Sequence, residues 1–254
     1  MKIYFNANNK ATVEALEECG VKNVMLSHRY SYASIDKFCG RFESIFVVPG
    51  SKDDPEKYHQ FLKDKRDSYN MATQFDVYYD MIKTLKYLKD EREMGIDWTI
   101  PTLQQNYLQH IAQLRLEPNS LVGVGEIKGK YEMEDQIKKL PRNIRYHGLA
   151  KSKYVKDNIF DSVNTATWIS GVLSKKTQVW NNGDTTTMFF GQRGRGTVPI
   201  LRHLCEQHKD YLETVGITVD KIIDCDYSAL LKAPIALLFM PQMKACGYYE
   251  DNFK

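Results

Sequence analysis

Short apolar runs recur along the chain about every 20 to 27 residues, each followed by a stretch of helical character. Eight such runs can be read, at residues 3–6, 24–27, 45–48, 71–77, 98–101, 121–124, 144–147 and 160–163. The fourth, Met71-Ala72-Thr73-Gln74-Phe75-Asp76, is the weakest in pattern. Helices are predicted between them, at 11–18 before Gly20, 34–39 before Gly40, 55–68, 77–93 before Gly95, 104–114, 132–139 and 152–157. Asp54 before Pro55 is a helix-start signal, with the carboxylate as cap and proline in the first turn. Eight strand–helix units predict an α/β chain of (β/α)8, TIM-type architecture over residues 1–170. The remainder, 171–254, is predicted as a C-terminal extension packed on the barrel. It holds a hairpin about Asn181-Asn182-Gly183-Asp184, a helix at 198–215 and an apolar stretch at 227–245 broken by Pro234 and Pro241.

Composition adds boundaries to this picture. Hydrophobic residues make up 43% of the chain, enough for a large core, yet no run of about 18 apolar residues exists to span a bilayer. The start, MKIYFNANNK, turns polar too early for a secretory signal. The five cysteines are scattered without a CxxC pair, which excludes a zinc ribbon and a disulfide framework. A cytoplasmic protein with reduced thiols is the expectation. The net charge of +3 is unevenly spread, because residues 128–205 hold 14 Lys/Arg against 6 Asp/Glu. That block predicts a face toward a polyanion such as DNA or RNA, with Lys151, Lys153, Lys175, Lys176, Arg193 and Arg195 as candidate phosphate contacts. The competing reading is a set of solvated helix lysines.

A parallel barrel puts its chemistry where the strands end. The predicted rim holds Asn6 and Asn8, then Ser27, His28 and Arg29, Gly50 and Ser51, Gln74 and Asp76. It continues with Thr102 and Gln104, Gly125 and Glu126, His147 and Gly148, then Asp161, Asn164 and Thr165. Only two histidines fall on it, too few for a hydrolytic zinc site, so no metal and no cofactor are predicted. No GxxxxGK[ST] or GxGxxG loop is present. Gly123 and Gly125 allow either close approach of a ligand or tight strand packing. Asp76, Glu126 and Asp161 are three rim carboxylates, a residue type that divides nucleophile and proton-carrier roles at an anomeric carbon. Glu126 pairing with Lys128, and Asp161 with Lys151 or Lys153, are the structural alternatives. Tyr30, Tyr32, Trp168 and Trp180 are candidates to stack on a flat base, against ordinary core packing.

Three segments then carry a resemblance: Leu121-Val-Gly-Val-Gly-Glu-Ile-Lys-Gly129, Arg145-Tyr-His-Gly-Leu-Ala150 and Phe160-Asp-Ser-Val-Asn-Thr-Ala-Thr-Trp168. With Gln74-Phe75-Asp76 and the 98–104 segment in the same order, residues 70–170 resemble the tRNA-guanine transglycosylase superfamily. The nearest likeness is to its compact, often phage-encoded branch related to DNA 7-deazaguanine transglycosylases. The resemblance implies a (β/α)8 barrel that exchanges a purine in nucleic acid for a 7-deazapurine through a covalent aspartate intermediate. By motif it implies Asp161 as nucleophile. Asp76 and Gln104 fall at base-reading positions, and Gly123, Val124 and Gly125 on a strand that offers backbone groups to the base. Glu126, His147, Asn164 and Trp168 complete the expected substrate surroundings. The chain departs from the pattern at strand 3, which ends Val48-Pro49-Gly50-Ser51 where the family carries an aspartate, and it has no cysteine-rich zinc site. The alternative is therefore a barrel that binds nucleic acid, a nucleotide or a host protein without turnover.

Overall fold

The computed structural model describes residues 1–31, 33–50, 52–125, 130–151, 155, 159–190, 196 and 198–254. In chain order the strands are β1 (Lys2–Ala7), β2 (Asn23–Ser27), β3 (Ser44–Val48), β4 (Met71–Ala72), β5 (Thr102–Leu103), β6 (Leu121–Val124), β7 (Arg145–Gly148), β8 (Ser162–Thr165), β9 (Lys176–Asn181) and β10 (Asp184–Phe189). The helices are α1 (Lys10–Glu18), α2 (His28–Ser31), α3 (Pro55–Asp64), α4 (Met81–Glu93), α5 (Tyr107–Leu114), α6 (Lys130–Lys138), α7 (Thr167–Leu173), α8 (Val198–Gln207), α9 (Lys209–Thr214), α10 (Val219–Ile223), α11 (Tyr227–Pro234), α12 (Met240–Ala245) and α13 (Tyr249–Asn252). They form two compact units. The first comprises Met1–Asn8 and Asn23–Thr165, the second Asn9–Lys22 and Ala166–Lys254.

The first unit is an α/β fold built on an eight-stranded parallel sheet in the order β4-β3-β2-β1-β8-β7-β6-β5. The sheet curls. Phe46 on β3 and His147 on β7 stand four strands apart in the ladder, yet their rings meet edge to face at 4.6 Å. Tyr4 joins both, at 5.3 and 5.7 Å. Tyr4, Met25, Phe46 and Ile100 form a buried cluster on this concave side, with Val48, Met71, Leu121 and Leu149 packed against it. Such a sheet, flanked by helices, is compatible with a TIM-like (β/α)8 arrangement, although its ladder does not close into a barrel. Between β4 and β5 there is one isolated parallel bridge, Thr73–Ile100, fastened by Gln74 N donating to Ile100 O at 2.9 Å and Ile100 N to Ala72 O at 2.8 Å.

Local signals explain most boundaries. Asp54 caps α3 through the backbone N–H groups of Glu56 and Lys57, with Pro55 in the first turn. Asp80 caps α4 through Lys83 N. Three strands differ from the sequence reading. The fourth run, expected over 71–77, is a strand only at Met71–Ala72. The apolar run 98–101 was expected to be the fifth strand, but pairing with β6 begins at Thr102. Pro101 has no N–H for a continuous ladder, so Ile100 bridges to Thr73 while Thr102 and Leu103 pair with Gly123 and Val124. The eighth strand was expected at 160–163 and lies at Ser162–Thr165. Its polar residues are buried and hydrogen-bonded, so they carry no apolar signal.

The second unit gathers α1 and the C-terminal elements. Helix α1 has a reciprocal cap, Thr12 N to Asn9 Oδ1 and Asn9 N to Thr12 Oγ1. The β9–β10 hairpin turns on Asn182 and Gly183, both with left-handed φ (47° and 98°), as its Asn-Gly signal predicts. The apolar stretch beyond Tyr227 runs from α11 through a π-helical segment, Ile235–Phe239, into α12, with Pro234 and Pro241 at the two joints.

Candidate functional site

All eight strands of the first unit point one way, so their C-terminal ends define one mouth. There the loop after β4 carries Asp76 and the residue after β5 is Gln104. Gln104 Nε2 donates to Asp76 Oδ2 at 2.5 Å. Burial pushes the Asp76 carboxyl up to about 6; the bond from Gln104 works against this and the charge of Glu91 adds to it. A carboxyl with that proton affinity, at a strand end, is suited to proton transfer near neutral pH.

Helices behind the mouth hold this pair. Glu91, fully buried on α4, accepts Phe75 N at 2.7 Å and the Thr99 hydroxyl at 2.6 Å, with His59 Nε2 3.2 Å away. It thus grips the peptide preceding Asp76. Gln74 donates to Thr84 O at 2.7 Å and accepts Thr102 N, tying the β4 and β5 loops. On α5, His110 Nδ1 accepts Gln104 N at 3.0 Å, and burial lowers this imidazole to about 4. Tyr107 donates its hydroxyl to Gly125 O at 2.5 Å. Glu91, Tyr107 and His110 were not singled out from sequence, because helical side chains 15 or more residues from Asp76 carry no local mark of that proximity.

Further round the mouth, Asp53 lies in the loop after β3, its side chain buried. It accepts Gly50 N at 2.6 Å, and stands 3.0 Å from His28 Nδ1 and 3.4 Å from Arg29 Nε. A carboxylate therefore does stand beside the third strand, five residues past its end. Asn164 on β8 donates to Asn6 Oδ1 at 2.7 Å and accepts Ala150 N at 2.8 Å. His147 is not a rim residue. It lies inside the curl, against Ser162 Oγ at 2.8 Å, and burial lowers it to about 3, so the ring is neutral.

Several expected site residues lie elsewhere. Asp161 was placed at the C-terminal end of strand 8; with β8 shifted by two residues it precedes the strand, on the side of the sheet where the strands begin. There it accepts Tyr146 N at 2.8 Å and lies 3.4 Å from Arg145 Nε, a backbone-capping arrangement in a surface hollow with Met1, Ile159 and Phe160. The glycine strand was expected to offer backbone N–H groups to a base. Gly123 N and Gly125 N instead donate to Pro101 O and Leu103 O, at 2.8 and 3.0 Å. A Cβ at Gly125 would stand 2.6 Å from Gln104 Nε2 and 2.8 Å from Leu103 O, so close packing requires this glycine. Val124 O accepts Leu149 N. Lys151 is 1% exposed and presents no cation at the surface. Glu126, Lys153, Arg193 and Arg195 lie outside the described residues.

In the second unit, Trp168 is fully buried on α7 and lines a cavity of about 190 Å³ with Gly171, Thr177, Thr187, Pro234, Leu238 and Phe239. Lys175 is exposed and Lys176 partly so. Among the described residues no group of three or more His, Cys, Asp and Glu is placed to hold a metal ion, and no helix is long and apolar enough to cross a membrane. Neither a protein-family model nor a curated protein matches the chain.

Proposed function

We propose that the protein binds a purine-type base of the guanine or 7-deazaguanine kind at the C-terminal mouth of its curled sheet, read as a (β/α)8 barrel. The observation that carries this is the part-buried Asp76–Gln104 pair, placed where the β4 and β5 ends meet beyond the Thr73–Ile100 bridge. A carboxylate accepts the ring and exocyclic N–H groups of such a base, and the buried Gln104 amide holds that carboxylate in place. The resemblance over residues 70–170 names the same two residues.

Base exchange through an aspartate is the second reading, and it moves from Asp161 to the mouth. Asp161 binds Tyr146 N where the strands begin, while Asn164 stands near the C-terminal end of β8. Among the described residues, Asp76 and Asp53 are carboxylates on the mouth side, and this reading runs turnover through one of them. Binding without exchange needs only the Asp76–Gln104 pair and is the reading favoured here.

Calorimetric titration with free 7-deazaguanine and with adenine separates these possibilities. The expected result is saturable binding of 7-deazaguanine, no binding of adenine, at least a tenfold loss in Asp76→Asn, and wild-type affinity in Asp161→Ala. Equal affinity for both bases, or an unchanged Asp76→Asn protein, would sink the proposal. Mass spectrometry of single-stranded DNA and RNA incubated with protein and 7-deazaguanine reports exchange directly.

A further inference from the structure

In the second unit, the β9–β10 hairpin, α7 and the segment joining α11 to α12 enclose the cavity of about 190 Å³. Protein interiors hold few voids larger than a water molecule, so one of this size calls for a reason. Trp168, Pro234, Leu238 and Phe239 give it apolar walls, and all four are buried. Leu238 and Phe239 lie in the π-helical turn Ile235–Phe239. Such a turn is rare, and within an α-helix it often marks a functional site. Another wall is held at close quarters. A Cβ on Gly171 of α7 would stand 2.4 Å from Lys176 O of β9, so these two elements meet backbone to backbone. Gln178 and Thr187, partners across the hairpin and both exposed, mark the opening. Among the apolar walls one buried polar side chain is poorly satisfied. Thr177, 3% exposed, reaches Gln178 O at 3.5 Å, beyond the about 2.5–3.0 Å of a sound O–H···O bond.

We propose that this cavity binds a small neutral aromatic molecule, one ring carrying a hydroxyl, with the ring against Trp168, Leu238 and Phe239 and the hydroxyl paired to Thr177. An apolar cavity of about 150 Å³ suffices for benzene, so the volume here takes a ring with one substituent and little more. Small-molecule sites combine apolar walls with a few placed polar groups in this way. The Thr177 hydroxyl both donates and accepts, which suits the hydroxyl of a phenol. The lining residues include no carboxylate for the N–H groups of a guanine-type base. Lys176 also lines the cavity, so an anionic ring is tested beside the neutral one. Every lining residue belongs to the second unit, and the site shares none with the Asp76–Gln104 pair. The inference therefore stands independently of the base-binding reading.

Fluorine NMR of 4-fluorophenol, fluorobenzene and 4-fluorobenzoate, each titrated with the full chain, tests it. The expected result is saturable binding, tightest for 4-fluorophenol. Leu238→Phe fills the cavity and is expected to weaken 4-fluorophenol by about tenfold or more. Thr187→Trp covers the opening from an exposed position and is expected to do the same, with thermal unfolding as in wild type. Thr177→Val is expected to cost 4-fluorophenol about fivefold and fluorobenzene nothing, a difference that general loosening of the wall would not produce. Absence of saturable 4-fluorophenol binding, tighter binding of 4-fluorobenzoate, or an affinity unchanged in both Leu238→Phe and Thr187→Trp would each overturn the proposal.

Discussion

Asp76 and Asp161 are both aspartates beside short strands, and their surroundings give them different work. Asp76 is half-buried and desolvated, so its charged form is disfavoured in the fold. Its carboxyl titrates near 6, above its ordinary value, and the linked stability is fully present below about 4 and lost as the pH rises through 6. Asp76→Asn keeps an acceptor for Gln104 and removes that penalty. The variant is expected to be more stable than wild type at pH 7, by about 2 kcal/mol in urea unfolding, with the difference vanishing near pH 4. Base affinity is expected to rise with pH through about 6, as the carboxylate forms, and to lose this dependence in the variant. Asp161→Ala removes an acceptor from Tyr146 N at a partly exposed site. It is expected to cost about 1 kcal/mol of stability and leave base binding intact. Retained stability together with lost binding in Asp161→Ala would reverse the assignment of the two carboxylates.

At the scale of elements, the mouth depends on helices that never line it. Glu91 on α4 holds Phe75 N, so the register of α4 against the β4 loop determines where Asp76 points. Removing a buried carboxylate that satisfies a backbone donor, a threonine hydroxyl and a histidine neighbour is expensive. Glu91→Ala is expected to lower stability by about 3 kcal/mol or more and to speed hydrogen exchange at Phe75. Unchanged protection at that amide would show that the loop is held by other contacts. Elements with local signatures were legible in the chain: the Asp54-Pro55 start of α3, the Asn-Gly hairpin and the proline joints around 235–239. The β5 and β8 boundaries were not. In β5 a proline interrupts an apolar run, and in β8 buried polar residues take the place of apolar ones. That two-residue shift of β8 is the whole reason Asp161 was assigned to the wrong end of its strand.

For the first unit as a whole, curvature decides which strands share an interior. It brings His147 of β7 against Phe46 of β3 and buries the imidazole in its neutral form. His110 is likewise buried neutral. Both have proton affinities below their ordinary value, so their linked stability is present above about 6.5 and lost as the pH falls toward 4 and 3. Asp76 works in the opposite direction between about 4 and 6 and offsets part of this loss. An acid limb below pH 6.5 is therefore expected in thermal unfolding, and His147→Gln is expected to flatten it. A limb of the same steepness in that variant would place the acid sensitivity elsewhere. The eight-beat rhythm of apolar runs and helices determined by itself that the chain builds a parallel α/β sheet, because alternation and caps are local properties of neighbouring residues. Which carboxylate faces the mouth, which glycine N–H groups the sheet consumes and which lysine is buried were decided only by tertiary structure. Each depends on strand register and on side chains brought together from distant positions, and a shift of one or two residues reverses the outcome.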